Sequence, residues 1–173
     1  MPWWPELMDE PTASVQETEP IAVESVEDLV ALAELTEIRT YLLHGERASR
    51  ADMVDARMSV MGKCEQSWLE TRCRLTLGTE DSDLVVDRSA VFTFDRPVAP
   101  REDIVRQFVE RVGVMSVYPY LREGASTLAS QLGVAPPVLA LMRAGTFKLT
   151  LATDQAAEPP VEVKKSRSRK ARP

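Results

Sequence analysis

Leu69-Glu70-Thr71-Arg72-Cys73-Arg74-Leu75-Thr76-Leu77 decides the fold class. Leu69, Thr71, Cys73, Leu75 and Leu77 alternate with Glu70, Arg72, Arg74 and Thr76. A period of two puts the first set on one face of a strand and the charged set on the other. The sheet therefore has one dry face and one wet face, which is the antiparallel pattern.

The neighbours repeat this pattern. On the N-terminal side, Val54, Ala56, Met58 and Val60 alternate with Asp55, Arg57 and Ser59. On the C-terminal side, Gly78-Thr79-Glu80-Asp81-Ser82 reads as a turn. It leads into Leu84, Val86, Ala90, Phe92 and Phe94 set against Val85, Asp87, Ser89, Val91 and Thr93. Arg88 falls on the apolar side, so either a bulge re-aims it or it sits at an edge. Further upstream, Ile38, Thr40 and Leu42 share a face opposite Glu37, Arg39 and Tyr41, within a strand over 36–44. Short turns predict an antiparallel meander of these four strands.

Helical spacing flanks the sheet. Val26, Leu29, Val30 and Ala33 predict a short amphipathic helix, with Ser25 as N-cap and Asp28 three residues on. After Pro97 and Pro100, the stripe Ile104, Val105, Phe108, Val109 and Val112 predicts a helix ending at Gly113. A second begins near Tyr118-Pro119, buries Leu121, Ala125, Leu128, Ala129 and Leu132, and ends at Gly133. Pro136-Pro137 block its continuation; 138–142 and 147–151 form a short coda. Strands grouped ahead of helices give an α+β class: a four-stranded antiparallel sheet with two C-terminal helices packed on one face.

The 173 residues suit one domain with extra length at both ends. Residues 1–23 hold five acids, Glu6, Asp9, Glu10, Glu17 and Glu19, and no Lys or Arg, which predicts disorder. Residues 24–152 form the domain. Residues 153–173 are a linker and a basic tail of Lys164, Lys165, Arg167, Arg169, Lys170 and Arg172. The net charge of -6 argues against nucleic-acid binding by the whole domain and confines it to this tail. No apolar run is long enough to span a bilayer, and the start lacks signal-peptide features, which points to the cytosol. Cys64 and Cys73 match no zinc or redox spacing and read as small core residues.

Catalytic patterns are missing. His44 has no orienting partner that the sequence identifies, and there is no phosphate loop, G-x-S-x-G or H-E-x-x-H. We expect neither an enzyme nor a cofactor. Val117-Tyr118-Pro119-Tyr120-Leu121-Arg122-Glu123 is the densest local signal. Read physically it is a helix start, with Pro119 in the first turn and Glu123 near the positive end of the dipole.

This heptad also resembles the signature of SecB-like export chaperones, an aromatic-Pro-Tyr-x-Arg-Glu at the start of their long helix. Ala90-Val91-Phe92-Thr93-Phe94 resembles the family's last strand, and Leu128 to Leu139 its helix end and proline-bearing coda. The resemblance spans roughly residues 36–145, most clearly 84–140. It departs at Gln131-Leu132-Gly133-Val134-Ala135-Pro136, where the family has Arg-Gly-Thr-Phe-Pro, and in the basic rather than acidic tail. Both departures point to a divergent member, of the kind associated with toxin–antitoxin systems, and put a SecA contact in doubt.

The resemblance implies an ATP-independent holding chaperone, a homotetramer that keeps preproteins or an antitoxin extended along apolar grooves. Candidate client-binding residues are Leu42, Met53, Met61, Trp68, Leu139, Leu141 and Met142, since flexible Met suits promiscuous surfaces. Met58 shares a face with Val54 and Val60 and reads as core. The competing readings are an oligomeric nucleic-acid-associated regulator or a single-partner adaptor using the tail, an enzyme with an unrecognised carboxylate site, and an assembly subunit that docks through Trp3-Trp4.

Overall fold

In the computed structural model, residues 19–49, 55–139 and 142 are described. The alternating stretch is β4 (Trp68–Gly78). It pairs antiparallel with β3 (Asp55–Cys64) on one side and β5 (Ser82–Phe94) on the other. β2 (Ala33–Arg47) lies beyond β5, giving the order β2-β5-β4-β3. The meander expectation holds only for β3, β4 and β5. β2 pairs with the strand farthest from it in sequence, a non-local choice that short turns cannot signal.

β5 is thus central, which rules out an edge for Arg88. No bulge re-aims it either, because the two irregularities lie on β2, where Thr36 and Tyr41 are the extra residues. The second bulge corrects the face of Leu42. Leu42 pairs with Asp87 on the open side, while Leu43 takes the inward place and reaches Gly124 of the covering helix. A bulge puts two successive residues on one side and inverts the alternation beyond it.

Two short elements precede the sheet. β1 (Ile21–Val23) pairs in parallel with β6 (Val98–Pro100), with Val23 and Val98 buried. Ordered structure therefore starts inside the acidic segment expected to be disordered. α1 (Val26–Leu32) has its expected cap: Ser25 Oγ accepts from the Asp28 N–H at 3.1 Å. Val26 and Leu29 are buried, whereas Val30 is exposed.

The helical layer also differs from expectation. α2 (Glu102–Phe108), a π-helical turn (Val109–Gly113) and α3 (Val114–Leu132) follow one another without interruption. Gly113 does not end a helix, and Pro119 lies inside α3 instead of opening it. The residue before a proline resists helical geometry. Burial of Val114, Val117 and Leu121 at helical spacing overrides that local preference. The wider π turn keeps both halves facing the sheet: Ile104 and Phe108 before it, Val109 within it, and Val114 to Leu128 after it.

α3 crosses β5, β2 and β4, and Phe108 meets Phe92 edge-on at 5.0 Å between ring centroids. Gly113 lets the layers touch, because a β-carbon there would overlap the Thr71 hydroxyl. Gly133 caps α3 in the left-handed region at φ 67°. The Val134 N–H reaches back to Ala129 O and the Gly133 N–H to Ser130 O, a Schellman arrangement. Cys73 is fully buried and Cys64 partly so, and both are free thiols. Burial pushes the Cys73 thiol up to about 12.

Candidate functional site

The inner face of the sheet is spent on the core. Leu69, Cys73, Leu75, Leu77, Leu84, Val86, Ala90 and Phe92 are all buried beneath the helices. The open face has no covering element among the described residues, and its side chains build their own surface. Asp87 is only 2% exposed there because Arg72 lies over it, Nε and Nη2 each donating to the carboxylate at 2.8 Å. The Arg72 guanidinium in turn stacks on the Tyr41 ring, 3.8 Å from its centroid. Tyr41 Oη and Ser89 Oγ both donate to Glu70 Oε1 at 2.6 Å.

The electrostatics follow. Burial raises the Glu70 carboxyl, but the bonds from Ser89 and Tyr41 and the charges of Arg39 and Arg72 outweigh it, so the net shift is downward. Glu70 stays ionised and the network stays locked. A rigid platform of Tyr41, Glu70 and Arg72 results, with apolar side chains around it.

Three of the predicted client-binding residues stand on this face. Leu42 is 39% exposed beside Asp87, and Met61 is 60% exposed directly across from Arg72. Trp68 is half-buried, with Lys63 Nζ 5.0 Å from its ring centre. The others are not brought to them. Leu139 lies by α3, in a shallow cleft with Pro119, Arg122, Ser126 and Pro136 to Val138. Leu139 and Met142 pack partly against the core. Met53, Leu141 and the basic residues Lys164, Lys165, Arg167, Arg169, Lys170 and Arg172 lie outside the described residues.

The heptad around Pro119 has a structural part to play. Arg88 crosses from β5 to α3, its Nη1 donating to Tyr120 O at 2.9 Å and to Glu123 Oε2 at 2.8 Å. Glu123 also accepts from Thr127 Oγ1. This clamp explains an arginine on the dry face: its charged end finds its partner on the helix. Tyr118 packs against the core, and burial raises its phenol despite the opposing charge of Arg122. Tyr120 and Arg122 are exposed. Sequence reasoning missed the Arg88–Glu123 pair and the Tyr41–Arg72–Asp87 stack. Only the out-of-place Arg88 gave a signal.

No constellation among the described residues suggests a metal site, and none of their helices is long and apolar enough to cross a membrane. His44 is an exposed residue of β2. No protein-family model matches the chain. The fold is similar to that of a solved SecB-like chaperone from Mycobacterium tuberculosis in complex with a ChAD peptide from the HigA1 antitoxin. The TM-score is 0.57 at 20% identity, over 66% of this chain and 94% of that one. A relative from Mycolicibacterium smegmatis, the SecB-like chaperone SmegB, is 36% identical over 135 residues, which is 78% of this chain and 92% of the relative. At that identity and coverage, the chain belongs to the SecB-like chaperones.

Proposed function

We propose that this protein is an ATP-independent holding chaperone that keeps clients extended, and that the open sheet face is a principal client surface. The observation that carries the reading is the grouping of Tyr41, Leu42, Met61 and Trp68 on the sheet face that no described element covers. Flat aromatic and thioether groups accept many side chains with little rearrangement. The locked ion pairs beneath them add polar partners for a client backbone. A holder needs no energy source: by binding only the unfolded client it lowers the concentration free to aggregate. Many weak contacts along one chain then add through effective concentration.

An antitoxin is the favoured client class, because the solved neighbour holds an antitoxin peptide. The tetramer implied by the family is part of the proposal. β2 supports it: a 15-residue edge strand with Leu35 and Leu43 more than 40% exposed on its inner side. Such an edge calls for a partner.

The test is aggregation of a denatured protein diluted into ATP-free buffer, followed by light scattering. Suppression near one tetramer per client is expected. Removal of residues 161–173 should leave it intact, whereas loss of function on that deletion would favour the tail-driven regulator or adaptor.

A further inference from the structure

One apolar segment lies outside the described residues. Trp3-Trp4-Pro5-Glu6-Leu7-Met8-Asp9-Glu10 sets four large apolar side chains among three acids, with no Lys or Arg. The open face offers the complement. Met61 stands across from Arg72, with Lys63 two residues along its own strand and Arg74 two residues along the facing one. On the β3–β4 half of this face Arg57 is paired with Asp55, Lys63 with Glu65 and Arg72 with Asp87, which leaves Arg74 as the cation open to an incoming acid. Arg74 is exposed and makes no ion pair among the described residues.

The tether also fits. The Ile21 N–H bonds Pro97 O at 2.8 Å, and the Val98 N–H bonds Gln66 O at 2.7 Å. The described chain therefore begins beside the turn that leads into Trp68. Eleven residues from Met8 to Glu19 reach at most about 40 Å. Arg72 lies four residues along β4 from Trp68, about 13 Å away. The segment can lie across the whole patch, and a tether this short holds it at an effective concentration on the order of 1 mM.

We propose that Trp3 to Glu10 of this chain docks on the open sheet face around Met61 and Trp68 and competes there with clients. The indoles, Leu7 and Met8 cover the apolar groups, while the acids Glu6, Asp9 and Glu10 lie towards Arg74. The competition rests on the client face proposed above; the docking does not.

The experiment uses the full chain with methyl-labelled methionine, wild type against Trp3→Ser/Trp4→Ser. The substituted residues lie outside the described fold, and an unchanged melting temperature confirms that folding is intact. The Met61 methyl resonance, assigned with Met61→Leu, should move between the two proteins, while that of Met115 in α3 stays. With an intrinsic Kd of about 0.1 mM, fluorescein-labelled, reduced and carboxymethylated α-lactalbumin should bind the double variant roughly tenfold more tightly. An unmoved Met61 methyl overturns the proposal. So does unchanged affinity in a protein that binds this client. If Met61 moves but neither form binds any client, the docking stands and the chaperone reading falls.

Discussion

The two faces of this sheet come from the same strands and the same alternation, yet hold together in different ways. Leu69, Cys73 and Leu75 gain their stability from area removed from water beneath α2 and α3. One residue along, Glu70, Arg72 and Asp87 depend on one another's charges and on the Tyr41 ring. The inner face is covered when the chain folds, apart from Leu35 and Leu43 on the β2 edge. The open face leaves Met61 and Leu42 in water, where the proposed client would cover them. Stability should therefore follow the inner residues and client holding the outer ones, and substitutions can test that division.

The largest effect should come from Phe108→Ala. The ring is fully buried against Phe92, and loss of such a side chain costs about 3–5 kcal/mol. Urea unfolding followed by circular dichroism should show the midpoint fall steeply. Next is Gly113→Ala, where the added methyl meets Thr71 and must push the π turn off the sheet. Overpacking of this kind costs about 1–3 kcal/mol. Thr71→Ala in the same chain should recover part of it, since it clears the hydroxyl and removes a buried polar atom with no partner. A Gly113→Ala protein as stable as the parent would mean that the helical layer is not held at this contact.

The open face should answer in the opposite way. Met61→Ser removes a side chain that is 60% exposed, so the unfolding free energy should change by no more than about 0.5 kcal/mol. Client affinity should fall roughly fivefold, about 1 kcal/mol, if Met61 is one of several contacts of similar strength. Titration of a labelled unfolded client reads this directly. A large stability loss with intact client binding would erase the distinction between the faces.

How much of this was legible follows from where each signal lives. β3, β4 and β5 could be read because alternation is local, and Ser25 and Gly133 because a cap is set by one residue and its near neighbours. β2 beside β5 could not, since that pairing joins residues about fifty apart and no turn records it. The bulge at Tyr41 hid for the same reason, and with it the true face of Leu42. Tyr118-Pro119 misled because local chemistry marks a helix start, while burial of Val114 and Val117 decides otherwise. Met61 and Trp68 were legible as residues off the core face, but the stack that supports them needs three strands and a bulge to assemble.

The smallest effect probes the one residue that crosses the division. Arg88 is a charge on the dry face, with its side chain 11% exposed, and its partner Glu123 is 58% exposed on α3. Solvent screens a pair so placed, so Glu123→Gln should cost less than about 1 kcal/mol at neutral pH. The bond from Thr127, and after it the bond and charge of Arg88, hold the Glu123 carboxyl below its ordinary value of 4.5. A carboxyl lowered in the folded state binds its proton more readily once unfolded. Its contribution is thus present above about pH 4.5 and is lost as pH falls through the lower, folded-state value. The difference in stability between wild type and Glu123→Gln should therefore be flat from pH 8 to about 5 and shrink below that. A difference that persists in acid would mean that the glutamine disturbs packing, and that Arg88 is held by the Tyr120 carbonyl and not by charge.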